Sequence, residues 1–193
     1  MSIILTSIKN NINKDFKLLH EYLKIPTNYD NYNQIIDGLY LGNYYAAQSK
    51  TFIKDKNIKL VINCSKDIEF PDFYDNIDKF KFNYMRISLN DSRNDIDQFM
   101  MAISIPKICP IIHQYLSDDK HVYVHCYAGM QRSATIIICY LIYRDFINYS
   151  NIKPLKNYYN FLKSQRVVVF EPTPTFVNII KRYHTNISNK LNK

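Results

Sequence analysis

A cysteine and an arginine, Cys126 and Arg132, stand six positions apart in the sequence, with Gly129 midway between them. A dianionic phosphate needs hydrogen-bond donors around three oxygens, and a short loop of backbone N–H groups at a helix N-terminus supplies them. The planar guanidinium of Arg132 can bind two of those oxygens at once, which a lysine cannot do. This spacing predicts cleavage of a phosphate ester by a cysteine nucleophile.

The loop that would hold the phosphate comprises residues 127–131, and its backbone must bend around an anion. Gly129 is one of only three glycines in the chain, and the middle of such a loop requires φ angles that residues with a Cβ resist. We predict that the phosphate is bound by the loop and the arginine that follows it, namely Tyr127, Ala128, Gly129, Met130, Gln131 and Arg132.

Cys126 is predicted to be the nucleophile. The helix dipole and the charge of Arg132 both favour the thiolate, which is the reactive form of a cysteine. His125 is predicted to orient the loop by hydrogen bonding to the backbone around the cysteine, and Ser133 to donate to the sulfur. A free cysteine is more often a small buried hydrophobic residue, but the glycine and arginine at these offsets favour the catalytic interpretation.

The elements on both sides of the loop fit this chemistry. Residues 120–125 alternate as a strand, and residues 133–143 form an apolar run typical of a buried helix. Strands and helices alternate along the chain, which indicates a single α/β domain with a central, mostly parallel sheet flanked by helices. Pro106 and Pro110 are expected to kink or split the long helix that precedes residue 120.

The segment from His125-Cys126 to Arg132-Ser133 resembles the signature of the cysteine-dependent protein tyrosine phosphatases. Ala128-Gly129 together with the serine resembles the dual-specificity branch, and within it the chain looks most like the poxvirus virion phosphatases. The resemblance implies hydrolysis of phosphotyrosine, phosphoserine and phosphothreonine through a phosphocysteine intermediate, without a metal or another cofactor.

The similarity covers residues 35–184. Residues 38–43 and 60–64 look like the first two core strands of the family, and residues 46–56 like the helix between them. The chain departs from the family near residues 172–176, because the asparagine that usually stands in this late turn is absent. The resemblance therefore does not indicate which hydrogen bonds support the turn.

The dual-specificity branch uses an aspartate general acid upstream of the signature, in a pattern of strand, aspartate and helix. Residues 83–89 are a strand candidate, followed by a turn that contains Asp91 and then by a helix. Asp91 is therefore predicted to protonate the leaving oxygen and later to activate the attacking water. Asp95 and Asp97 are rival candidates, whose alternative roles are to cap the helix and to face solvent.

Cys64 ends a strand that is expected to neighbour the catalytic strand, where it could approach Cys126 from behind the loop. Some phosphatases of this superfamily protect their nucleophile with a disulfide of that kind. Cys64 is therefore a candidate redox partner of Cys126, and a buried strand cysteine with no redox role is the alternative interpretation.

The first 30 residues lie outside the similarity and are predicted to form a helical extension. The extension would either pack on its own domain or form the interface of a homodimer. We predict a catalytic domain over residues 31–187 and a flexible tail over residues 188–193. The helix is predicted from apolar residues at steps of three and four, namely Leu5, Ile8, Ile12, Phe16, Leu19 and Leu23.

Composition suits one intracellular domain. The 193 residues are 47% hydrophobic, which is enough for one core. No apolar stretch is long enough to span a bilayer, no export signal is recognisable, and four irregularly spaced cysteines predict reduced thiols in the cytoplasm. The five histidines share no ligand spacing with cysteines or carboxylates, so the sequence predicts no metal site.

The net charge of +8 comes mostly from dispersed lysines. A cluster near the C-terminus could attract acidic, phosphorylated substrates or bind nucleic acid without specificity, and no specific nucleic-acid module is recognisable. This cluster comprises Lys163, Arg166, Lys181 and Arg182.

The resemblance implies phosphorylated proteins as partners, with STAT-type signalling factors and viral virion proteins as candidates, and the host cytoplasm and virion as locations. An RNA 5′-triphosphatase of the same superfamily is an alternative, although that branch carries His-Gly and threonine where this chain has Ala128-Gly129 and Ser133. A non-catalytic phosphate-binding module and a sulfurtransferase are further alternatives. The combination of Asp91 with Cys126 favours the phosphatase over both.

Overall fold

The computed structural model describes residues 29–75 and 82–191, and its centre is one five-stranded sheet. The strand order is β1-β2-β5-β3-β4, with β1 antiparallel to β2 and every other neighbouring pair parallel. The predicted α/β fold with a mostly parallel sheet is therefore confirmed. The strands are β1 (Tyr32–Ile36), β2 (Leu39–Gly42), β3 (Ile58–Asn63), β4 (Asn83–Arg86) and β5 (His121–His125).

Helices cover both faces of the sheet. The described part of the chain contains α1 (Tyr44–Ala47), α2 (Lys50–Asp55), α3 (Asp95–Ser117), α4 (Arg132–Tyr149), α5 (Leu155–Gln165) and α6 (Val177–Leu191), with a short 3₁₀ helix at Asp72–Asp75. No helix in these residues is long and apolar enough to cross a membrane.

The larger core lies between the sheet and helices α3, α4 and α6. Helix α4 is buried without interruption from Ser133 to Ile142, which explains why its sequence is apolar on every side rather than amphipathic. The other face of the sheet carries a smaller, largely aromatic core, in which Phe52 of α2 contacts Tyr123 of β5 edge to face. Helix α4 thus rests on a packed sheet, and its first residue follows the predicted phosphate loop directly.

Two local predictions differ from the structure. The helix predicted over residues 46–56 is divided into α1 and α2, because the Ser49 side chain accepts a hydrogen bond from the Phe52 N–H (3.1 Å) and caps a new helix. Of the two expected effects of Pro106 and Pro110, the split is wrong, since α3 runs unbroken through both prolines. Its buried face packs against α4, and that burial outweighs the backbone hydrogen bonds lost at the prolines.

The last helix extends beyond the predicted boundary of the catalytic domain. Helix α6 continues to Leu191, so residues 188–191 are helical where the sequence predicts the start of a tail. The predicted N-terminal helical extension and its homodimer interface lie outside the described residues, apart from the last two positions of the extension.

Candidate active site

The loop of residues 126–131 connects the end of β5 to the first turn of α4, as the sequence predicts. Gly129 has a φ of +68°, and a Cβ at this position would lie 2.4 Å from the carbonyl oxygen of Gly42 on β2. Both the backbone angle and the neighbouring strand therefore require glycine here. The loop is in this way held tightly against the sheet edge.

The thiol of Cys126 lies at the bottom of this loop with 1% of its surface exposed. Burial acts to raise its pKa, but the positive charge of Arg132 and a hydrogen bond from Ser133 outweigh it and lower the pKa below the ordinary value. The Ser133 hydroxyl donates to the sulfur at 3.2 Å. The geometry thus favours the reactive thiolate.

Arg132 faces both the cysteine and the loop that carries Asp91. One of its terminal nitrogens donates to the carbonyl of Leu89 (3.1 Å), and its Nε lies 3.7 Å from a carboxylate oxygen of Asp91. The Nε forms no hydrogen bond to any residue that the structure describes. The guanidinium is therefore oriented by one protein contact while a donor remains for an anionic group.

Asp91 lies beside Arg132, with 35% of its side chain exposed. Burial raises the pKa of its carboxyl group, and the nearby charge of Arg132 and a hydrogen bond from Thr175 only partly oppose this effect. The hydroxyl of Thr175 donates to the second carboxylate oxygen at 2.9 Å. A carboxyl group with a raised pKa next to a cysteine with a lowered pKa is the combination that acid-assisted attack by a thiolate needs.

The two rival carboxylates have other surroundings. Asp97 is buried and accepts hydrogen bonds from the backbone N–H of Asn90 (3.0 Å) and the hydroxyl of Ser92, so it fixes the shape of the Asp91 turn. Burial acts to raise the pKa of Asp97, but these hydrogen bonds hold it below the ordinary value. Asp95 is an exposed residue in the first turn of α3, after the cap at Asn94. The structure therefore favours Asp91 as the acid.

His125 ends β5 and is buried. Its Nδ1 lies 3.3 Å from the carbonyl oxygen of Cys126, and its ring stacks on Tyr123 with centroids 5.4 Å apart. Burial lowers the pKa of His125 to about 4, so the imidazole is neutral at physiological pH. A neutral ring in this position contacts the backbone of the cysteine and adds no charge to the site.

The side chains of the loop residues turn towards neighbouring elements. Tyr127 stacks on Tyr44 with ring centroids 4.9 Å apart, while Ala128 and Met130 belong to a small apolar cluster with Val168. The Gln131 side chain donates to the carbonyls of Glu171 (2.8 Å) and Thr173 (3.1 Å). This arrangement leaves the backbone N–H groups of the loop and Arg132 as the groups suited to an anion.

Arg166 supports the loop from behind, which the sequence did not reveal. It is 2% exposed, and its guanidinium donates to the carbonyls of Gly129 and Ala128, each at 3.0 Å, and to that of Asp30 at 2.8 Å. The expectation that Arg166 attracts substrates from the surface is therefore wrong. The sequence shows Arg166 only as part of a basic cluster, and charge alone does not show that its hydrogen-bond donors are used by the loop.

Cys64 follows β3, which pairs with β5 in parallel so that Asn63 lies opposite His125. Its N–H donates to the carbonyl of His125 at 2.7 Å, which places Cys64 next to Cys126 just beyond the carboxyl ends of the two strands. Both cysteines are free thiols. Burial, reinforced by the neighbouring charge of Cys126, raises the pKa of Cys64, so Cys64 is protonated in the folded protein.

Comparison with known proteins identifies this arrangement. Residues 39–186 match the catalytic domain of the dual specificity phosphatases. The chain is 26% identical over 155 residues to dual specificity protein phosphatase 1B of Arabidopsis thaliana, which covers 80% of this chain and 83% of the relative. It is 34% identical over 122 residues to a predicted tyrosine-protein phosphatase of Amsacta moorei entomopoxvirus, covering 60% of this chain and 66% of the relative.

Solved structures agree on the fold. Human DUSP28 superimposes with a TM-score of 0.66 at 19% identity, covering 83% of this chain and 97% of that one. The sheet, the cysteine loop and the arginine that follows it define a cysteine-based protein phosphatase. The chain belongs to the dual specificity phosphatase family, and the resemblance inferred from the signature is confirmed.

Proposed function

We propose that this protein hydrolyses phosphotyrosine and phosphoserine or phosphothreonine in phosphorylated proteins through a phosphocysteine intermediate. The observation that carries this proposal is the placement of a nucleophile and an acid around one guanidinium. The charge of Arg132 lowers the pKa of Cys126, and the same side chain lies 3.7 Å from Asp91. A thiolate and a carboxylic acid can therefore face one phosphoester that Arg132 and the loop hold in place.

The first half-reaction transfers the phosphoryl group to sulfur. The thiolate of Cys126 attacks phosphorus, the bond from phosphorus to the ester oxygen breaks, and its electron pair stays on that oxygen. Asp91 gives its proton to the leaving oxygen, so an alcohol or a phenol departs instead of an anion. Arg132 and the loop N–H groups stabilise the charge on the three equatorial oxygens throughout.

The second half-reaction restores the enzyme. Asp91, now ionised, accepts a proton from water while the water oxygen attacks phosphorus, and the sulfur–phosphorus bond breaks. The hydrogen bond from Ser133 stabilises the departing thiolate of Cys126. Inorganic phosphate leaves, and Asp91 is again protonated for the next cycle.

The surroundings of the loop favour protein substrates. Tyr29 and Ala128 are only partly buried against Met130 and Val168, and the apolar surface that they leave exposed beside the loop suits the carbon atoms of phosphotyrosine and phosphothreonine. Residues 126–131 contain no lysine, whereas the phosphoinositide branch places lysines in this loop. Phosphorylated proteins are therefore the substrates that we propose in preference to an inositol lipid.

Phosphate release from matched phosphotyrosine and phosphothreonine peptides, measured in a metal chelator beside 5′-triphosphorylated RNA, tests the proposed function. We expect hydrolysis of both peptides and little release from the RNA. Preference for the RNA would assign the protein to the triphosphatase branch instead. Absence of turnover on every substrate, with phosphate binding retained, would support a non-catalytic phosphate-binding module.

We further propose that Cys64 closes a disulfide with Cys126 under oxidation. Peroxide would convert the Cys126 thiolate to a sulfenic acid, and the sulfur of Cys64 would then displace water from it as the Cys64 proton is lost. The neighbouring places of the two residues on β3 and β5 support this step. Because the pKa of Cys64 is raised, its attack on the sulfenic acid is slower than attack by an exposed thiol.

Mass spectrometry of peroxide-treated protein is expected to show a crosslinked peptide that contains Cys64 and Cys126, and activity is expected to return on reduction. In the Cys64→Ser variant the same treatment should overoxidise Cys126 and abolish activity permanently. Cys139→Ser removes another buried thiol and is the matched control. Equal irreversible loss in wild type and Cys64→Ser would overturn the proposal.

A further inference from the structure

A segment after α5, residues 171–175, bridges the cysteine loop and the turn that carries Asp91. Gln131 fixes the segment from the cysteine loop, because its side chain donates to the carbonyls of Glu171 (2.8 Å) and Thr173 (3.1 Å). The same side chain accepts a hydrogen bond from the N–H of Thr175 at 3.0 Å. Three hydrogen bonds from one glutamine thus set the backbone of the segment.

The Asp91 turn is joined to the same segment from its other side. Arg93 donates to the hydroxyl of Thr173 at 2.7 Å. Gln98, in the second turn of α3, donates to the carbonyl of Ser92 and to that of Thr175, each at 3.2 Å. The segment, the Asp91 turn and the cysteine loop therefore form one connected hydrogen-bond network.

Thr175 is the residue at which this network reaches the acid. Its N–H is held by Gln131 and its carbonyl by Gln98, so the position of its hydroxyl follows from the network. That hydroxyl donates to one carboxylate oxygen of Asp91 at 2.9 Å, while the other oxygen faces Arg132 at 3.7 Å. The hydrogen bond from Thr175 thus fixes one oxygen of the carboxylate and directs the other towards Arg132, which faces the phosphate site.

We propose that Thr175 is a positioning residue for the general acid, which orients the Asp91 carboxyl group through the network anchored by Gln131. The inference rests on the proposed function, since it assigns a partner to the acid of that reaction. It also accounts for the departure of residues 172–176 from the family pattern, because threonine hydroxyls and Gln131 make hydrogen bonds around the turn that lacks the usual asparagine.

The charged groups around Asp91 set the direction of the expected pH effect. Arg132 from α4 and the hydroxyl of Thr175 favour the ionised carboxylate, whereas burial and the charge of Asp97 from α3 oppose it. The thiolate of Cys126 also repels the carboxylate. Removal of the Thr175 hydroxyl is therefore expected to raise the pKa of Asp91, because a hydrogen bond that favours the ionised form is lost.

Thr175→Val removes the hydroxyl and keeps the shape of the side chain, so it is the variant that tests the inference. Because Asp91 must be protonated to act as the acid, activity falls as the pH rises through its pKa, and this alkaline limb should move to higher pH. At the pH optimum, kcat on a phosphothreonine peptide should fall about tenfold because the acid is less well oriented. The kcat on an aryl phosphate with an acidic phenol should fall much less, because this leaving group needs little protonation.

Three comparisons separate positioning from a structural role. Thr175→Ser restores the hydroxyl and should restore both the pH limb and kcat. Thr173→Val removes the other hydroxyl of the segment, which contacts Arg93 and not Asp91, and should leave the pH limb unchanged. Thr175→Ala repeats the test with a smaller side chain if the valine variant folds poorly.

Titration of the Asp91 carboxyl carbon by NMR gives a readout that needs no turnover. A higher pKa of Asp91 in Thr175→Val than in wild type supports the inference even if no phosphatase activity is found. Failure of this inference can therefore be distinguished from failure of the proposed function. An unchanged pKa and alkaline limb in Thr175→Val and Thr175→Ala would overturn it. A shift of equal size in Thr173→Val would also overturn it, since the effect would then belong to the whole segment.

Discussion

Replacement of Cys126 by serine is expected to reduce phosphate release by a factor on the order of 10⁶, to below detection with phosphotyrosine and phosphothreonine peptides alike. The serine hydroxyl does not ionise near neutral pH, so Arg132 and Ser133 would have no thiolate to stabilise. No phosphoryl group would be transferred to the side chain. Steady-state phosphate release by wild type and Cys126→Ser at equal concentration measures the effect.

The same variant should still bind phosphopeptides, because the loop and Arg132 are unchanged. Fluorescence anisotropy measures binding of a labelled phosphotyrosine peptide to Cys126→Ser. Its dissociation constant is expected to be within a few-fold of that of wild type for a peptide that carries a non-hydrolysable phosphate analogue. Cys109→Ser, a substitution of a buried thiol in the helical core, is the control and should keep its activity. Substantial turnover by Cys126→Ser would show that another group attacks phosphorus.

Replacement of Asp91 by asparagine is expected to lower kcat about 10²- to 10⁴-fold on phosphothreonine peptides, whose alkoxide leaving group depends on protonation. On an aryl phosphate with an acidic phenol the first step should slow far less. The sign of the pH effect follows from the acid role: the protonated carboxyl is active, so wild-type activity falls as the pH rises through the raised pKa of Asp91. In Asp91→Asn that alkaline limb should disappear.

Asp95→Asn is the matched control for this substitution, because it removes a neighbouring carboxylate that is exposed at the start of α3. Its kcat and pH profile should resemble those of wild type. If Asp95→Asn lost its alkaline limb while Asp91→Asn kept it, the assignment of the acid would have to be exchanged. Profiles of kcat over the range from pH 5 to pH 8 on both substrates distinguish these outcomes.

The arrangement of the cysteine loop and its flanking elements was predictable because they are close together in the sequence. The strand of β5, the loop and the first turn of α4 are consecutive, so the spacing of Cys126, Gly129 and Arg132 fixes their relative places. Ser133 reaches the sulfur because it follows Arg132 in the same helical turn. The apolar run after it indicated a buried helix because the composition of one continuous segment is enough for that prediction.

The division between Asp91, Asp95 and Asp97 shows where such reasoning ends. All three carboxylates lie within seven positions, and the sequence offers a turn or cap role for each. Their hydrogen bonds separate them, since Asp97 is bound by the turn itself whereas Asp91 meets a hydroxyl from residue 175. The proton affinity of each carboxyl therefore depends on folding of the whole domain.

The sequence by itself predicted a nucleophile, a phosphate loop, the alternation of strands and helices, and through the family resemblance a general acid. Only the tertiary structure decided that Arg166 is a buried support of the loop and that the Thr175 hydroxyl binds the Asp91 carboxylate. Arg166 reaches Asp30 across 136 positions and Gly129 across 37, and Thr175 reaches Asp91 across 84. Hydrogen bonds between such distant residues form only when the sheet and helices have packed, so no local pattern in the sequence specifies them.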